Sequence, residues 1–325
     1  MSNQVATSLE VQRYSSVEAE VWNKLIDESV NGTFLFRRSF MDYHQDRFTD
    51  NSYLIWEKGT LVAVFVAAVA KSAPDQSILV AHPGLTYGGL VHGYDVKYYE
   101  FEAIFNAVLE KIAQDGFSKL VLKPVSRVFC KTYSEAQDFY YYKKQFCLLS
   151  RDVNSVIDLS EPLRLTRARK KNLKKAAAAG LEIHQNDDFT DFWSIMTASL
   201  LKTHNVSPVH TIAEMQALHA ANSENIRLYT ASVNGRIVGG TVLFLDDKRG
   251  FIHSQYTHAN EEGRAIRAID SLVLHAAQLA REKGLLRFSF GISTVKSEVN
   301  YGLLSQKEDF GSLIELTDIY EKVLG

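Results

Sequence analysis

Two histidines, His253 and His258, stand in one alternating stretch, GFIHSQYTH (250–258), which opens directly into the loop ANEEGRA (259–265). Imidazole titrates near neutrality, so both are candidate bases for proton transfer. On a regular strand residues five apart face opposite sides, so the two are not expected to act together. The loop carries Asn260, Gly263, Arg264 and Ala265, with Arg267 just beyond, and leads into a helix. Such a junction presents unpaired backbone N–H groups and the positive end of the helix dipole, a setting that suits phosphate. Gly263 lets backbone approach a ligand closely and the arginines add positive charge, although a glycine here also serves plain turn chemistry.

Other chemistries find no foothold. The ten histidines include His204 and His210, which flank Pro208 in a loop, yet none lies beside a cysteine or carboxylate at zinc spacing. Cys130 and Cys147 are isolated, so no metal site and no disulfide framework is expected, and a reducing compartment is. There is no phosphate-binding Walker loop, no nucleophile elbow and no dinucleotide fingerprint.

The elements that position these residues occur twice. In the first half NSYLIWE (51–57) reads as a strand, Lys58-Gly59 as a turn and LVAVFVAAVA (61–70) as a buried strand. A third strand, SILVA (77–81), ends in the glycine-rich HPGLTYGGL (82–90). Phe101, Ile104, Phe105, Val108, Leu109 and Ile112 recur at helical spacing; the helix stops near Gly116 and the strand KLVLKPV (119–125) comes next. The second half repeats the plan: NIRLYTASV (225–233), the hairpin turn Asn234-Gly235, IVGGTVLFL (237–245), then strand 250–258 and its loop. A helix from about Ile266 to Lys283 ends at Gly284, and LLRFSF (285–290) closes the unit. The shared order predicts a duplication, with domains at 1–155 and 156–325.

Length and composition agree. A chain of 325 residues suggests about two domains, and 46% hydrophobic with 23% charged residues is ordinary for a globular protein. Thirty-six Lys and Arg against 38 Asp and Glu exclude a global polyanion binder, and no DNA partner is expected. The opening MSNQVATSLEVQRYSS lacks the basic and apolar parts of a signal peptide, and no apolar run approaches the roughly 20 residues of a membrane span. A cytoplasmic location is expected.

Balance overall conceals one local excess. Arg164, Arg167, Arg169, Lys170, Lys171, Lys174 and Lys175 fall in a helix read as 163–179, with no acid among them. This is either a solvated face or an attractor for an anionic partner.

The element order resembles the GNAT N-acetyltransferase fold, whose Q/R-x-x-G-x-G/A loop grips the pyrophosphate of acetyl-CoA; Asn260 stands here where that pattern has Gln or Arg. The stretch FSFGISTVKSEVNYGLLSQKEDFGS (288–312) is similar to that of FemAB-like tandem acyltransferases, with Ser289 where the family often has Asp. FLFRRSFMDYHQDRF (34–48), HPGLTYGGL (82–90), RARKKNLKKAAAAGLEI (167–183) and DFW (191–193) also look like that family's motifs, whereas 127–147 fits no familiar pattern. The resemblance implies an α/β (α+β) fold of two tandem GNAT-like domains, each a mixed, mostly antiparallel sheet flanked by helices. It implies acyl transfer from acetyl-CoA or another acyl-CoA to an amine, such as an amino sugar of a nucleotide-sugar or glycan precursor. The acyl end would lie beside Gln255, Tyr256, Thr257 and His258, with the pyrophosphate at Asn260, Gly263, Arg264, Ala265 and Arg267. His258 or His253 would be the base and Tyr301 the acid for the leaving thiolate. His82, Tyr87 and Gly88 would mark acceptor recognition in the first half. Two alternatives stand beside this: FemAB-type peptidyl transfer from aminoacyl-tRNA, which the lack of an aromatic stacking platform disfavours, and a degenerate, non-catalytic pair of binding domains.

Overall fold

A computed structural model describes residues 9–325; the opening eight residues, half of the stretch read for a signal peptide, and the side chains of Thr203 and His204 lie outside the described residues. The chain divides into two compact units, 1–151 with 316–325, and 152–315.

The first unit contains β1 (Leu9–Arg13), α1 (Ala19–Glu28), α2 (Arg38–Met41), β2 (Phe48–Asp50), β3 (Tyr53–Glu57) and β4 (Thr60–Val66). It continues through β5 (Ala68–Ala70), β6 (Ile78–Val80), β7 (Gly89–His92), α3 (Tyr98–Gln114), β8 (Lys119–Leu122) and α4 (Ala136–Lys143). The apolar run expected as one strand at 61–70 is broken at Ala67. Its first part pairs antiparallel with β3 and β7, its second with β2 and β6. β6 runs parallel to β8, from Ile78↔Lys119 to Val80↔Val121. The helical stripe expected on α3 packs as read: Phe101, Ile104, Phe105, Val108 and Ile112 are buried with Tyr53, Ile55, Phe65 and Leu120 in one core. The unfamiliar stretch 127–147 supplies α4, whose Tyr140 and Tyr141 join that core.

β9 (Cys147–Asp158) leads to the second unit, which holds α5 (Arg167–Ala178), β10 (Glu182–Asn186), α6 (Thr190–His204), α7 (Ile212–Ala221), β11 (Ile226–Val233), β12 (Arg236–Asp246) and β13 (Phe251–Ala259). Then come α8 (Glu261–Ile266), α9 (Ala268–Glu282), β14 (Arg287–Ile292), the hairpin β15 (Thr294–Val295) and β16 (Glu298–Val299), α10 (Tyr301–Glu308) and β17 (Leu313–Val323), whose last part pairs with β8. The sheet order is β10-β11-β12-β13-β14-β9, antiparallel throughout except between β13 and β14. The helix read from about Ile266 to Lys283 is α9, and the stretch before it, read as the loop 259–265, holds the short helix α8, set off from α9 by Arg267 at φ +69°. The apolar stripe of α9 (Leu272, Val273, Ala276, Ala277, Ala280) covers one sheet face with Leu243, Leu245, Ile252 and Phe288. The other face of the sheet carries α6 and α7, and this leaves the site to be sought there.

Candidate active site

β13 and β14 are parallel neighbours over only three residues, Phe251↔Arg287 to His253↔Ser289, although both strands continue. Beyond that ladder the two strands no longer pair. On the other edge of β13 the register with β12 shifts between Val242↔Tyr256 and Leu243↔Ser254, so Gln255 is the extra residue of a β-bulge. A bulge adds one residue to the alternation and re-aims the side chains after it. His253 therefore pairs with Phe244, Tyr256 with Val242 and His258 with Gly240, all of one parity on the unbulged partner. The expectation that His253 and His258 face opposite sides is corrected: the bulge puts both, with Tyr256, on the face away from α9.

At the end of the short ladder lies a polar cluster. His253 Nδ1 is 3.0 Å from Ser289 Oγ, which in turn donates to Asn154 Oδ1 at 3.2 Å and accepts from the Gly291 N–H at 3.2 Å. With Ser289 donating to Asn154, the proton between Ser289 and His253 belongs to Nδ1. Ser289 and Asn154 are both buried. Lys307, from α10, is also buried, and its ammonium donates to the carbonyls of Gly291 (2.9 Å) and Ile292 (2.8 Å). Burial alone pulls the Lys307 pKa down to about 8. Burial first, and the charge of Lys307 second, bring His253 down to about 4, against contacts with Ser289 and Gln255 that raise it. At neutral pH the cluster thus holds a neutral imidazole beside an ammonium whose proton is easily given up.

Tyr256 points to a second polar pair. Its hydroxyl is 2.6 Å from Nδ1 of the buried His210, and Trp193 of α6 meets its ring edge-on at 5.5 Å. Thr257 bonds Thr241 at 2.6 Å and Ser254 at 2.7 Å, away from this face. Tyr301, the expected acid, is 78% exposed at the first turn of α10 and is not joined to the cluster by a hydrogen bond.

The glycine loop is organised around its own cap. Asn260 is the N-cap of α8, and its side chain accepts from the Gly263 N–H at 2.9 Å, while the Arg264 N–H bonds the Asn260 carbonyl. Glu261 and Glu262 fill the first turn, ion-paired to Lys202 and Arg236. Two of the N–H groups that a pyrophosphate would use are therefore satisfied internally, beside two carboxylates. A Cβ at Gly263 would run into the carbonyl of Val238, so packing of α8 on β12 by itself demands glycine there. Arg264 donates to the carbonyl of Ala259 at 2.8 Å, Ala265 lies within α8, and Arg267 forms the left-handed break after it.

In the first unit, His82 is buried at φ +50° and its ring stacks on that of His44 at 5.0 Å. Burial, then the neighbouring His44, lower its pKa to about 3. Tyr87 is buried with its hydroxyl on Thr33 at 3.0 Å, and a Cβ at Gly88 would lie 2.5 Å from the Ala81 carbonyl. These residues pack the first unit. Among the described residues no cluster of three His, Cys, Asp or Glu could hold a metal, and no helix is long and apolar enough to cross a membrane.

Lys307 and Asn154 are not singled out from sequence, and His210 is weighed there only as a metal ligand. Lys307 does lie in the K-x-x-F-G part of the 288–312 stretch, but only burial distinguishes it from the other lysines of the chain.

The parted parallel strands, the bulge and the α8–α9 junction coincide with a match of residues 164–298 to the family described as acetyltransferase (GNAT) domain. Within the second unit, residues 164–298 are similar to a GNAT acetyltransferase domain. Three solved structures are similar over nearly the whole length of the chain. FemX matches with a TM-score of 0.72 at 10% identity, covering 97% of each chain. A tandem GNAT protein from the clavulanic acid biosynthesis pathway gives 0.58 at 12% identity, over 98% of this chain and 99% of that one. The C-terminal domain of a putative lysylphosphatidylglycerol synthetase from Agrobacterium fabrum gives 0.60 at 11% identity, over 94% and 91%. At such identities the likeness establishes the tandem GNAT fold expected from the sequence, a mixed α/β architecture flanked by helices. No curated protein sequence matches the chain.

Proposed function

We propose that this protein is an N-acyltransferase whose second unit moves an acyl group from acyl-CoA to an amine, such as an amino sugar of a nucleotide-sugar or glycan precursor. The observation that carries the proposal is the buried Lys307 ammonium on the Gly291 and Ile292 carbonyls, where β13 and β14 part. We place an extended acyl carrier between the strands that have ceased to pair. Attack of an amine on the acyl carbonyl forms a C–N bond and an oxyanion; collapse breaks the bond to the carrier, and the leaving group takes a proton. With a pKa of about 8, Lys307 can stabilise that oxyanion electrostatically and supply the proton. His253 at about 4 is too weak a base to be the main proton acceptor and serves to orient Ser289 and Gln255 at the bulge. That leaves His258 as the base candidate on the same face.

One observation favours a second donor. Asn260 caps the turn that would grip a pyrophosphate, and Glu261 and Glu262 stand at its mouth. An aminoacyl ester needs no such grip, and its alkoxide leaving group requires a proton more than a thiolate does, which gives Lys307 more to contribute. Thermal unfolding of the full chain with acetyl-CoA and with alanyl-tRNA separates the two. Stabilisation by acetyl-CoA supports the thioester donor, stabilisation by the charged tRNA alone supports the ester, and neither contradicts both.

A further inference from the structure

α5 presents a cationic face that nothing in the second unit neutralises. At 100° per residue Arg167, Lys170, Lys171, Lys174 and Lys175 fall within an arc of about 140°, over a length of about 12 Å. All five are exposed, as is Arg164 just before the helix, and none has an ion-pair partner among the described residues. The opposite side faces inward: Ala176 is buried, and Arg169 is buried against Asp270 (2.5 Å), the Gln306 carbonyl (3.1 Å) and the ring of Phe310. Arg169, counted with the basic run in the sequence, is thus an anchor that fixes which way the other cations face. Segment 309–311 lies against the start of α5, since the Thr166 N–H bonds the Asp309 carbonyl, the Asp309 carboxylate pairs with Arg169 and Gly311 packs on Arg164. Two residues further on, Leu313 opens β17 and is 71% exposed, while Ile314, next on the strand, points to the other side.

We propose that the outer face of α5, with Leu313, docks the protein on an anionic lipid surface. The shape and composition favour lipid headgroups over a nucleic acid. The face is one convex helix, and no aromatic residue lies between Ser160 and Asp188 on which bases could stack. Its apolar neighbour Leu313 is aliphatic and solvated, as suits the boundary between headgroups and acyl chains. Each lysine or arginine near an anionic leaflet contributes about 1 kcal/mol, a roughly 5-fold change in partition. The docking is independent of which acyl donor the active site uses.

The test is sedimentation of the full chain with vesicles of phosphatidylcholine alone and of phosphatidylcholine containing about one-third phosphatidylglycerol. Binding is expected only to the anionic vesicles and is lost when salt shortens the screening length to about 3 Å. The exposed double substitution K170Q/K174Q weakens it about 25-fold, while L313S weakens it less, at the low salt where binding is measured. Both variants keep the wild-type unfolding temperature and transfer to a soluble amine at the wild-type rate. Equal binding to both vesicle types, or binding unmoved by K170Q/K174Q, overturns the proposal. So does tRNA that binds more tightly than the vesicles and loses that binding in the same variant, which would assign the face to nucleic acid.

Discussion

In each unit a third strand runs parallel to the strand after a long helix, and in each the ladder is three residues long. The two units differ beyond the ladder. In the first unit the chain closes the gap itself: the Ala81 N–H bonds the Val121 carbonyl at 2.8 Å and the Gly88 N–H bonds the Lys123 carbonyl at 2.9 Å. In the second unit the carbonyls past the ladder, at Gly291 and Ile292, take the ammonium of Lys307 instead. Backbone closed on backbone is inert, whereas a buried ammonium beside unpaired strands is a place where charge can develop and be met. The two units share a three-residue parallel ladder, and in the first the space beyond it is closed by backbone hydrogen bonds.

Substitutions can break that contrast. The largest effect is expected from Lys307→Met, which keeps the stem and removes the charge. It should lower kcat about 10²–10⁴-fold with KM little changed, measured by acyl transfer to a soluble amine. Gly88→Ala in the first unit forces a Cβ to 2.5 Å from the Ala81 carbonyl and should cost about 1–3 kcal/mol in denaturant unfolding, while the folded fraction retains its kcat. Asn260→Ala removes the α8 cap and should cost about 1 kcal/mol in the same measurement. If acyl-CoA is the donor, its affinity should not fall with that substitution, because the cap competes with the phosphates for the Gly263 N–H.

A further effect concerns pH. The folded pKa of Lys307 is about 8 against an ordinary 10.5, so between these values the unfolded chain binds more protons than the folded one. Stability contributed at this site therefore rises with pH across that window, and Lys307→Met should flatten the rise in unfolding free energy there. His253, at about 4 against 6.5, gives the same sign between those values and should do so in both proteins.

Much of this fold is legible in the sequence because it is written in short-range patterns. Asn234-Gly235 sets the β11–β12 turn, the stripe on α3 sets its buried face, and Gly284 ends α9. The short helix α8 inside the glycine loop and the split at Ala67 are not legible, the latter because the two parts of the run pair with different strands. The same holds at the site. The bulge at Gln255 leaves no local trace, yet it reverses the facing of His258 relative to His253. Lys307 looks like any lysine in a polar helix until the backbone carbonyls of Gly291 and Ile292, some 15 residues away, are seen to enclose it. Conversely Gly263 and Gly88 have the appearance of ligand glycines and are required by the carbonyls of Val238 and Ala81.

The central claim is that donor and chemistry belong to the parted strands of the second unit. Hydrogen exchange of the full chain with and without donor, using acetyl-CoA and then alanyl-tRNA, tests it most directly. Slowed exchange of the amides at 254–259 and 290–292, with 78–92 unchanged, is the predicted result. Protection confined to 78–92 would contradict it.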